Sequence, residues 1–429
     1  MKRRDLLLYS AGSTGLNLLS LFVMTKYLFY YDPKTGTPLL PMLWASLALT
    51  LSRVLEAVSD PLIGYWSDRS NSRFGRRRVF LFWGLPLTLL AFYFLWRPPF
   101  GPGENVWGNF LFLLVMTNVF FTAYTLYAIP FDAYLPEIAK NEGDRVRGSR
   151  YKALFAVAGI LIAVPLLGGA DVKSSSFYFL ILSGATLLLP FWGMRSDIPR
   201  MVPDPTHTNN GWRETSKALF RDKKFLLYLA AVFFIEAACN MFLKYIDYFN
   251  LHVLSGVKHG LLSPELRHHL LYLCFILAMI SGIPFWEWLS RKRNAFSALR
   301  AALILLALIF PASIGIGFLP AEGAPLSPRD AAGLLYFAGI GFGYGGVTVF
   351  GVAILSFFAG SALESSGLYF GLYNFVKKIG FSIGIAAFAL FIESFEKLGQ
   401  LETGFQGVGI LMTLFLGAAL LFVRKTGKG

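Results

Sequence analysis

The amino-acid sequence predicts an all-α membrane protein that crosses the bilayer twelve times. The chain has 429 residues, of which 55% are hydrophobic and 15% are charged, whereas a soluble domain carries about 25% charged residues. Apolar runs of roughly 20 residues, long enough to cross a bilayer as a helix, recur along the whole chain with short polar segments between them. This composition excludes a soluble globular protein.

Each predicted span is an apolar run that ends at polar or charged residues. The twelve predicted spans are residues 6–31, 40–67, 79–97, 108–134, 151–170, 176–195, 225–253, 268–290, 295–318, 330–359, 367–394 and 404–423. Both cysteines, Cys239 and Cys274, fall inside spans, so the sequence predicts no disulfide framework.

The basic residues are distributed unevenly between the two sides of the predicted membrane layout. The net charge is +14, but the Lys and Arg residues lie in short runs between spans and do not form one patch. Most of these runs lie on the side of the N-terminus, which predicts that both termini are cytoplasmic. The distribution argues against nucleic acid as a partner and for a protein of the cell membrane.

The longest polar connection divides the chain into two halves. Residues 196–224 contain three prolines and an Asn-Asn-Gly triplet, which interrupt regular structure. We therefore predict an N-terminal bundle of six helices over residues 1–195, a cytoplasmic linker over 196–224 and a C-terminal bundle of six helices over 225–429. Two such bundles are the plan of many secondary transporters, which handle substrate between the halves.

Three charged residues lie inside the second span. Arg53, Glu56 and Asp60 are spaced so that a helix places them on one face. A charge at the centre of a span costs at least about 2.5–3.5 kcal/mol, so this face must look at protein or at a water-filled cavity. Two interpretations remain open: the carboxylates hold a cation, or they form a structural ion pair with Arg53.

Several motifs resemble one transporter family. Residues 60–61, 67–69 and 73–78 read Asp-Pro, Ser-Asp-Arg and Arg-Phe-Gly-Arg-Arg-Arg; residues 127–137 and 367–380 carry two further signatures. In this order they resemble the glycoside–pentoside–hexuronide:cation symporters, the melibiose-carrier family of the major facilitator superfamily. The resemblance covers the whole chain and implies the fold of that superfamily.

The resemblance implies a cation site between the second and fourth spans. Glu56 and Asp60 match the family's two cation-binding carboxylates, Ser59 matches a polar ligand, and Thr125 matches a ligand from the fourth span. The family usually has Asp at the first position, and the extra methylene of Glu56 leaves both Na⁺ and H⁺ open as the coupling ion. No other cofactor is expected, and Na⁺ would be the only metal at Glu56 and Asp60.

The positions that bind sugar in the family differ in this chain. Asn17 and Ala128 stand where melibiose-type members have aspartates, and Ala153 stands where they have an arginine. Asp132, one helical turn past Ala128, is a candidate replacement. We therefore include Arg53, Asn17 and Asp132 among the residues expected to line the coupling and substrate cavity.

The second half also carries charges within its spans. Lys378 matches the family's lysine that faces the cation site; the alternative is that it extends to the interface, as we expect for Lys377. The seventh span carries a polar stripe formed by Glu236, Asn240, Lys244 and Asp247. Glu236 and Lys244 either line the cavity or belong to an internal ion-paired stripe, and the sequence favours neither.

The loop after the second span is the predicted inner gate. Asp68, Arg69, Arg76 and Arg77 are placed to pair with acidic groups, helix ends or lipid phosphates and so to close the inner side of the cavity. The alternative is that these residues only set the topology. The fixed spacing of Gly64, Asp68 and Gly75 favours a gate.

The resulting functional hypothesis is cation-coupled symport of a glycoside or related small polar solute by alternating access. The main alternative is cation-dependent transport of a lysophospholipid or another amphipathic lipid, which the absence of the sugar-binding acids favours. An enzyme or receptor is the third class, but the sequence contains no catalytic constellation. We expect a monomer surrounded by membrane lipids.

Overall fold

The computed structural model is helical throughout the part of the chain that it describes. The described residues are 3–32, 37–70, 72, 74–139, 141–167, 171–194, 217, 219–254, 263–322, 326–361 and 365–426. Contacts between residues divide the chain into two compact units. The first unit comprises residues 1–215 and 355–375, and the second comprises 216–354 and 376–429.

The first unit contains long helices joined by short connections. Its helices are α1 (Arg3–Tyr31), α2 (Met42–Arg69), α3 (Arg78–Leu95), α4 (Val106–Ala133), α5 (Leu135–Ile138), α6 (Glu142–Leu167), α7 (Val172–Leu188) and α8 (Pro190–Gly193). The side chain of Asn105 caps α4 and that of Asp171 caps α7, each by accepting hydrogen bonds from backbone N–H groups of the first turn.

The second unit begins with α9. Its helices are α9 (Lys223–Tyr248), a π-helical turn (Phe249–Val253), α10 (Pro264–Lys292), α11 (Ala295–Ile309), α12 (Ala312–Gly317), α13 (Pro328–Ser361), α14 (Ser366–Lys397) and α15 (Leu401–Thr426). The last seven residues of α13 and the first ten of α14 group with the first unit. The predicted linker lies mostly outside the described residues, so the division at 196–224 stays a prediction.

The helices fit the expectation of a multi-pass membrane protein. Ten helices within the described ranges are long and apolar enough to cross a membrane. Two long helices, α2 and α6, are not among these ten. Helix α2 carries Arg53, Glu56 and Asp60 near its middle, and α6 begins with the charged stretch 142–152. The predicted all-α architecture is confirmed.

The first unit packs around aromatic side chains. Helix α1 contacts α6 and α7, α3 contacts α4, and α2 contacts α4. The ring of Phe22 in α1 lies with its centroid 4.9 Å from that of Trp96 and 4.5 Å from that of Phe179. These rings are fully buried, and the edge-to-face contact between Phe22 and Trp96 adds to the stabilisation that burial itself provides.

The second unit is closed at one end by a buried polar network. The Arg267 guanidinium donates to the Asn250 side chain at 2.7 Å and to the Asp330 carboxylate at 3.1 Å. The Ser327 hydroxyl donates to the other Asp330 oxygen at 2.9 Å. Asn250 lies in the π-helical turn, so the network links that turn to the first residues of α10 and α13. Sequence analysis assigned no role to these residues.

Helix α2 approaches the start of α14 closely enough to require glycine. A Cβ built on Gly64 would lie 2.2 Å from the backbone oxygen of Gly367, and one built on Gly367 would lie 2.4 Å from that of Gly64. Real Cβ atoms do not come this close to backbone oxygens, so the two helices would have to separate. The close packing of the two helices therefore requires glycine at both positions.

We expect Gly64→Ala to destabilise the first unit. The added methyl group forces two backbones apart, and overpacking of this kind costs about 1–3 kcal/mol. The measurement is the thermal unfolding temperature of the purified protein in detergent or nanodiscs.

Gly417→Ala is the matched control, because a Cβ on Gly417 meets nothing within 4 Å. In the middle of α15, alanine favours the helix over glycine. The control should unfold at the native temperature or above it. An unchanged unfolding temperature for Gly64→Ala would contradict the proposed packing constraint.

Candidate cation site and inner charge cluster

The charged face of α2 is buried inside the first unit. Glu56 is 4% exposed and Asp60 is 1% exposed. Arg53 donates through Nη1 to Oε2 of Glu56 at 2.6 Å, and its guanidinium carbon lies 4.0 Å from the centroid of the Phe121 ring. Arg53 and Glu56 therefore form an ion pair within α2.

Asp60 is bound to α4. The hydroxyl of Thr125 donates to Oδ1 of Asp60 at 2.9 Å, and Thr125 is itself 1% exposed. The hydroxyl of Ser59 donates to the backbone oxygen of Glu56 at 3.0 Å. The structure thus brings Asp60 and Thr125 into direct contact and leaves Ser59 beside the backbone between the two carboxylates.

This arrangement has the chemistry of a site for a monovalent cation. Arg53, Glu56 and Asp60 bring one guanidinium and two carboxyl groups to this face, and both carboxyl groups are buried. Carboxylate and hydroxyl oxygens are hard ligands, and a hydroxyl that donates one hydrogen bond keeps lone pairs for a cation. No group of three or more His, Cys, Asp and Glu side chains suited to a metal ion occurs among the residues described. The oxygen set therefore combines carboxylates with hydroxyls.

The predicted substrate residues of the first unit are already engaged with protein groups. The Asn17 amide donates to the backbone oxygen of Ser13 at 2.8 Å. Asp132 forms an ion pair with Lys152, whose ammonium group also lies 4.8 Å from the centroid of the Phe131 ring. A substrate that bound Asp132 would compete with Lys152, which the sequence interpretation did not include.

The second unit pairs Glu236 with Lys377. The Lys377 ammonium lies 3.1 Å from Oε1 of Glu236, and the Asn240 amide donates to Oε2 of Glu236 at 3.2 Å. Lys377 thus lies in an ion pair within the unit, although the sequence suggested that it extends to the interface. Lys378 is half-buried. The side chain of Lys244 lies outside the described residues.

A second charge cluster, the inner charge cluster, consists of Asp68, Arg76, Arg77 and Glu137. Arg77 is 1% exposed and donates to Asp68 at 2.7 Å and to Glu137 at 2.5 Å. Arg76 donates to the same oxygen of Glu137 at 2.6 Å. Although burial alone lowers the pKa of Arg77, the pairs with Glu137 and Asp68 raise it above its usual value, so the guanidinium stays charged.

Asp68 of the inner charge cluster and the neighbouring Arg145 each contact the end of a helix. Asp68 accepts hydrogen bonds from the backbone N–H groups of Gly367 at 2.7 Å and Leu368 at 2.9 Å, in the first turn of α14. A carboxylate there satisfies otherwise unpaired donors and complements the positive end of the helix dipole. Arg145 donates to the backbone oxygen of Phe357 at 3.4 Å, near the end of α13, where the helix dipole is negative.

Sequence analysis identified only part of this cluster. Asp68, Arg76 and Arg77 meet as predicted, but Arg69 is exposed and stacks on Tyr65, with its guanidinium carbon 4.4 Å from the ring centroid. Glu137 was missed, although it ends the 127–137 motif and is the acid that the two arginines require. Ser366 was missed as well; its hydroxyl accepts from Arg77.

Comparison with known proteins identifies a family that matches nearly the whole chain. The family described as MFS/sugar transport protein matches residues 8–423. A protein of Escherichia coli assigned as a glycoside/cation symporter, YagG, is 29% identical over 199 residues, which are 43% of this chain and 41% of that protein. The mouse sodium-dependent lysophosphatidylcholine symporter 1 is 28% identical over 126 residues, 29% of this chain and 24% of that protein. The matched segments therefore span less than half of these relatives.

Solved structures share the fold over the whole chain. A single-residue variant of the Escherichia coli fucose:proton symporter FucP superposes with a TM-score of 0.72 at 13% identity and covers 99% of this chain and 98% of that one. A bacterial homologue of the iron transporter ferroportin gives a TM-score of 0.72 at 14% identity, with 100% of both chains covered. At these identities, the likeness concerns the fold alone.

We expect Arg77→Gln to destabilise the protein by about 3–5 kcal/mol, because it leaves the buried Asp68 without its guanidinium partner and leaves Glu137 with Arg76 alone. The measurement is thermal or denaturant unfolding of the purified protein. Adding Asp68→Asn to the variant should restore part of the loss, because the buried unpaired charge is removed.

The matched control is Arg69→Gln, which removes an exposed arginine from the same loop and should cost less than about 1 kcal/mol. Equal losses for Arg69→Gln and Arg77→Gln would contradict the different roles assigned to the two arginines.

Proposed function

The chain belongs to the MFS/sugar transport protein family, and from this premise we propose that it is a cation-coupled symporter that works by alternating access. The observation that carries the proposal is the pair of buried carboxylates on α2, with Asp60 bonded to Thr125 of α4. Members of this family are transporters, and the fold is that of a multi-pass membrane transporter. The resemblance inferred from the sequence motifs is thereby confirmed.

Coupling would follow from the charge of the Glu56–Asp60 site. Without a bound cation, the net negative charge lies in an apolar region, where a charge is costly. A bound Na⁺ or H⁺ neutralises it and lowers the cost of the conformational change. The substrate would then move only together with the cation, because only the protein with a bound cation changes between the two states at low free-energy cost.

The inner charge cluster would act as the closed inner gate. Asp68 and Arg145 contact the ends of α14 and α13, and opening to the inside would break these contacts together. Since a few hydrogen bonds to charged groups contribute about 1.5–3 kcal/mol each, their loss must be compensated by binding of cation and substrate. Arg76 and Arg77 would then affect the rate of transport and not the recognition of substrate.

For the substrate we propose first a glycoside or related small polar solute, in line with the family and with the relative assigned as a glycoside/cation symporter. A lysophospholipid is the second candidate. It is favoured by Ala128 in place of an acid, by the pairing of Asp132 with Lys152, and by the similarity to a lysophosphatidylcholine symporter. Uptake of a panel of sugars and lysolipids into proteoliposomes, with imposed Na⁺ or H⁺ gradients, decides between them.

We further propose a cell-membrane protein with both termini in the cytoplasm, on the strength of the Lys and Arg distribution. In this proposal it is a monomer that catalyses no covalent reaction and needs no cofactor beyond the coupling ion.

We expect Asp60→Asn to abolish gradient-driven accumulation of substrate while leaving substrate binding measurable. The substitution keeps the shape of the side chain and its acceptor for Thr125 but removes the charge that a cation would neutralise. The measurement is coupled uptake beside equilibrium binding of substrate, in the same vesicles.

Asp171→Asn serves as the control, because Asp171 caps α7 outside the bundle and asparagine also caps helices. Its uptake should stay within about twofold of native. Unchanged coupled uptake in Asp60→Asn would mean that Asp60 is structural, and the coupling mechanism would have to be abandoned.

We expect substitutions of the two adjacent lysines, Lys377 and Lys378, to have different effects. Lys378→Met should weaken the dependence of substrate binding on cation concentration by about tenfold or more, because Lys378 matches the family's lysine of the cation site. Lys377→Met removes the partner of Glu236 and should lower thermal stability while keeping the cation dependence. Both expectations are tested by measuring substrate binding while the Na⁺ concentration and the pH are varied. The reverse pattern would assign the cation site to Lys377 and the structural role to Lys378.

A further inference from the structure

A cavity of about 350 Å³ lies in the first unit, away from the charged face of α2. Its walls come from the start of α1, the end of α5 and the first three turns of α6. The polar lining residues are Asp144, Arg147, Arg150 and Tyr151, and the apolar ones are Leu6, Ile138 and Ala139. The volume lies at the lower end of the range for small-ligand pockets.

The polar side of the cavity carries an excess of positive charge. Arg147 lies 3.4 Å from Asp144, a long and half-exposed ion pair. The Arg150 guanidinium carbon lies 4.6 Å from the centroid of the Tyr151 ring, a contact that orients the guanidinium plane. Two of the three charged lining side chains are arginines, and two guanidinium groups are a suitable donor set for one phosphodiester. Guanidinium groups are suited to phosphate because their N–H donors match its oxygens.

The apolar side of the cavity suits a ligand that is not entirely polar. Ile138 is half-buried and supplies most of this apolar surface, whereas Leu6 and Ala139 are only 7% and 2% exposed. A free inorganic phosphate would leave this surface in contact with water, whereas the glycerol and first methylene groups of a phospholipid would cover it.

The position along α6 corresponds to headgroup depth. The predicted span in α6 starts at residue 151, and Arg147 lies four residues before it, about 6 Å along the helix axis. This is the region of lipid phosphates beside the hydrocarbon core. Under the orientation proposed above, this end of α6 faces the inner leaflet, where basic pockets between helices bind anionic headgroups.

We propose that this cavity is a binding site for the phosphate headgroup of an anionic phospholipid of the inner leaflet. The lipid phosphate contacts Arg147 and Arg150, and the glycerol region covers Ile138. The site rests on the proposed orientation of the chain but not on the identity of the transported substrate.

The experiment titrates dioleoylphosphatidylglycerol into dioleoylphosphatidylcholine nanodiscs that contain the full chain, and counts bound anionic lipid by native mass spectrometry. Because each cation near a membrane surface adds about 1 kcal/mol, Arg147→Gln/Arg150→Gln should lower the affinity by about thirtyfold. Asp144→Asn removes the opposing charge and should raise the affinity by about threefold, which keeps the proposal testable if the double variant folds poorly.

Lys292→Gln/Arg293→Gln is the matched control, since it removes two exposed cations at the end of α10, outside the cavity. It should leave the affinity within twofold. An equal loss in this control would overturn the proposal in favour of general surface charge, and native affinity in both Arg147→Gln/Arg150→Gln and Asp144→Asn would overturn it outright.

A competition arm identifies the source of the phosphate. Inorganic phosphate and glycerol 1-phosphate, at millimolar concentration, should not displace the bound lipid. Displacement at concentrations comparable to those of the lipid would instead make this a site for a soluble phosphate ester. Because the readout is lipid binding, a failure here leaves the transport proposal untouched, and a failure of coupled uptake leaves this site untouched.

Discussion

Burying charge in apolar surroundings requires a partner for each charged group, and this constraint organises the first unit. Helix α2 carries Arg53, Glu56 and Asp60 inside and Asp68 at its end. Arg53 compensates Glu56, Thr125 of α4 holds Asp60, and Arg77 with the N–H groups of α14 compensates Asp68. The positions of α4 and of the loop before α3 relative to α2 therefore follow from the need to satisfy its charges.

The partners of Asp68 at the end of α2 differ from those of Glu56 and Asp60 on its charged face. Asp68 receives a guanidinium and two backbone donors, which is a closed set of strong partners suited to holding one conformation. On the charged face of α2, the single guanidinium of Arg53 stands beside the two carboxylates of Glu56 and Asp60. The first set holds the end of α2 against α14, and the second is the set of residues that we propose as the cation site.

The sequence predicted the fold well, because apolar length and the distribution of basic residues are local properties that need no knowledge of contacts. It also placed Asp68 near helix ends and assigned acidic partners to Arg76 and Arg77, since all three residues lie at or beside the loop after the second span. It did not predict Glu137 as their partner or Lys377 as the partner of Glu236, because these pairs join residues distant along the chain. Periodicity places a residue on a helical face but does not show which helix packs there. Asp132 was likewise predicted as a substrate residue from its spacing alone, which does not show its ion pair with Lys152.

The contact between Arg77 and Ser366 spans 289 residues of sequence, and that between Asp68 and Gly367 spans 299. During synthesis at about 5–20 residues per second, roughly 15–60 s pass between the appearance of the first partner and that of the second. Throughout this interval, Asp68 must be neutralised by Arg77 alone, and Arg77 by Asp68 and Glu137, which is only 60 residues away. The ion pairs among Asp68, Arg77 and Glu137 are therefore the contacts of this cluster that need no residue beyond the first third of the chain.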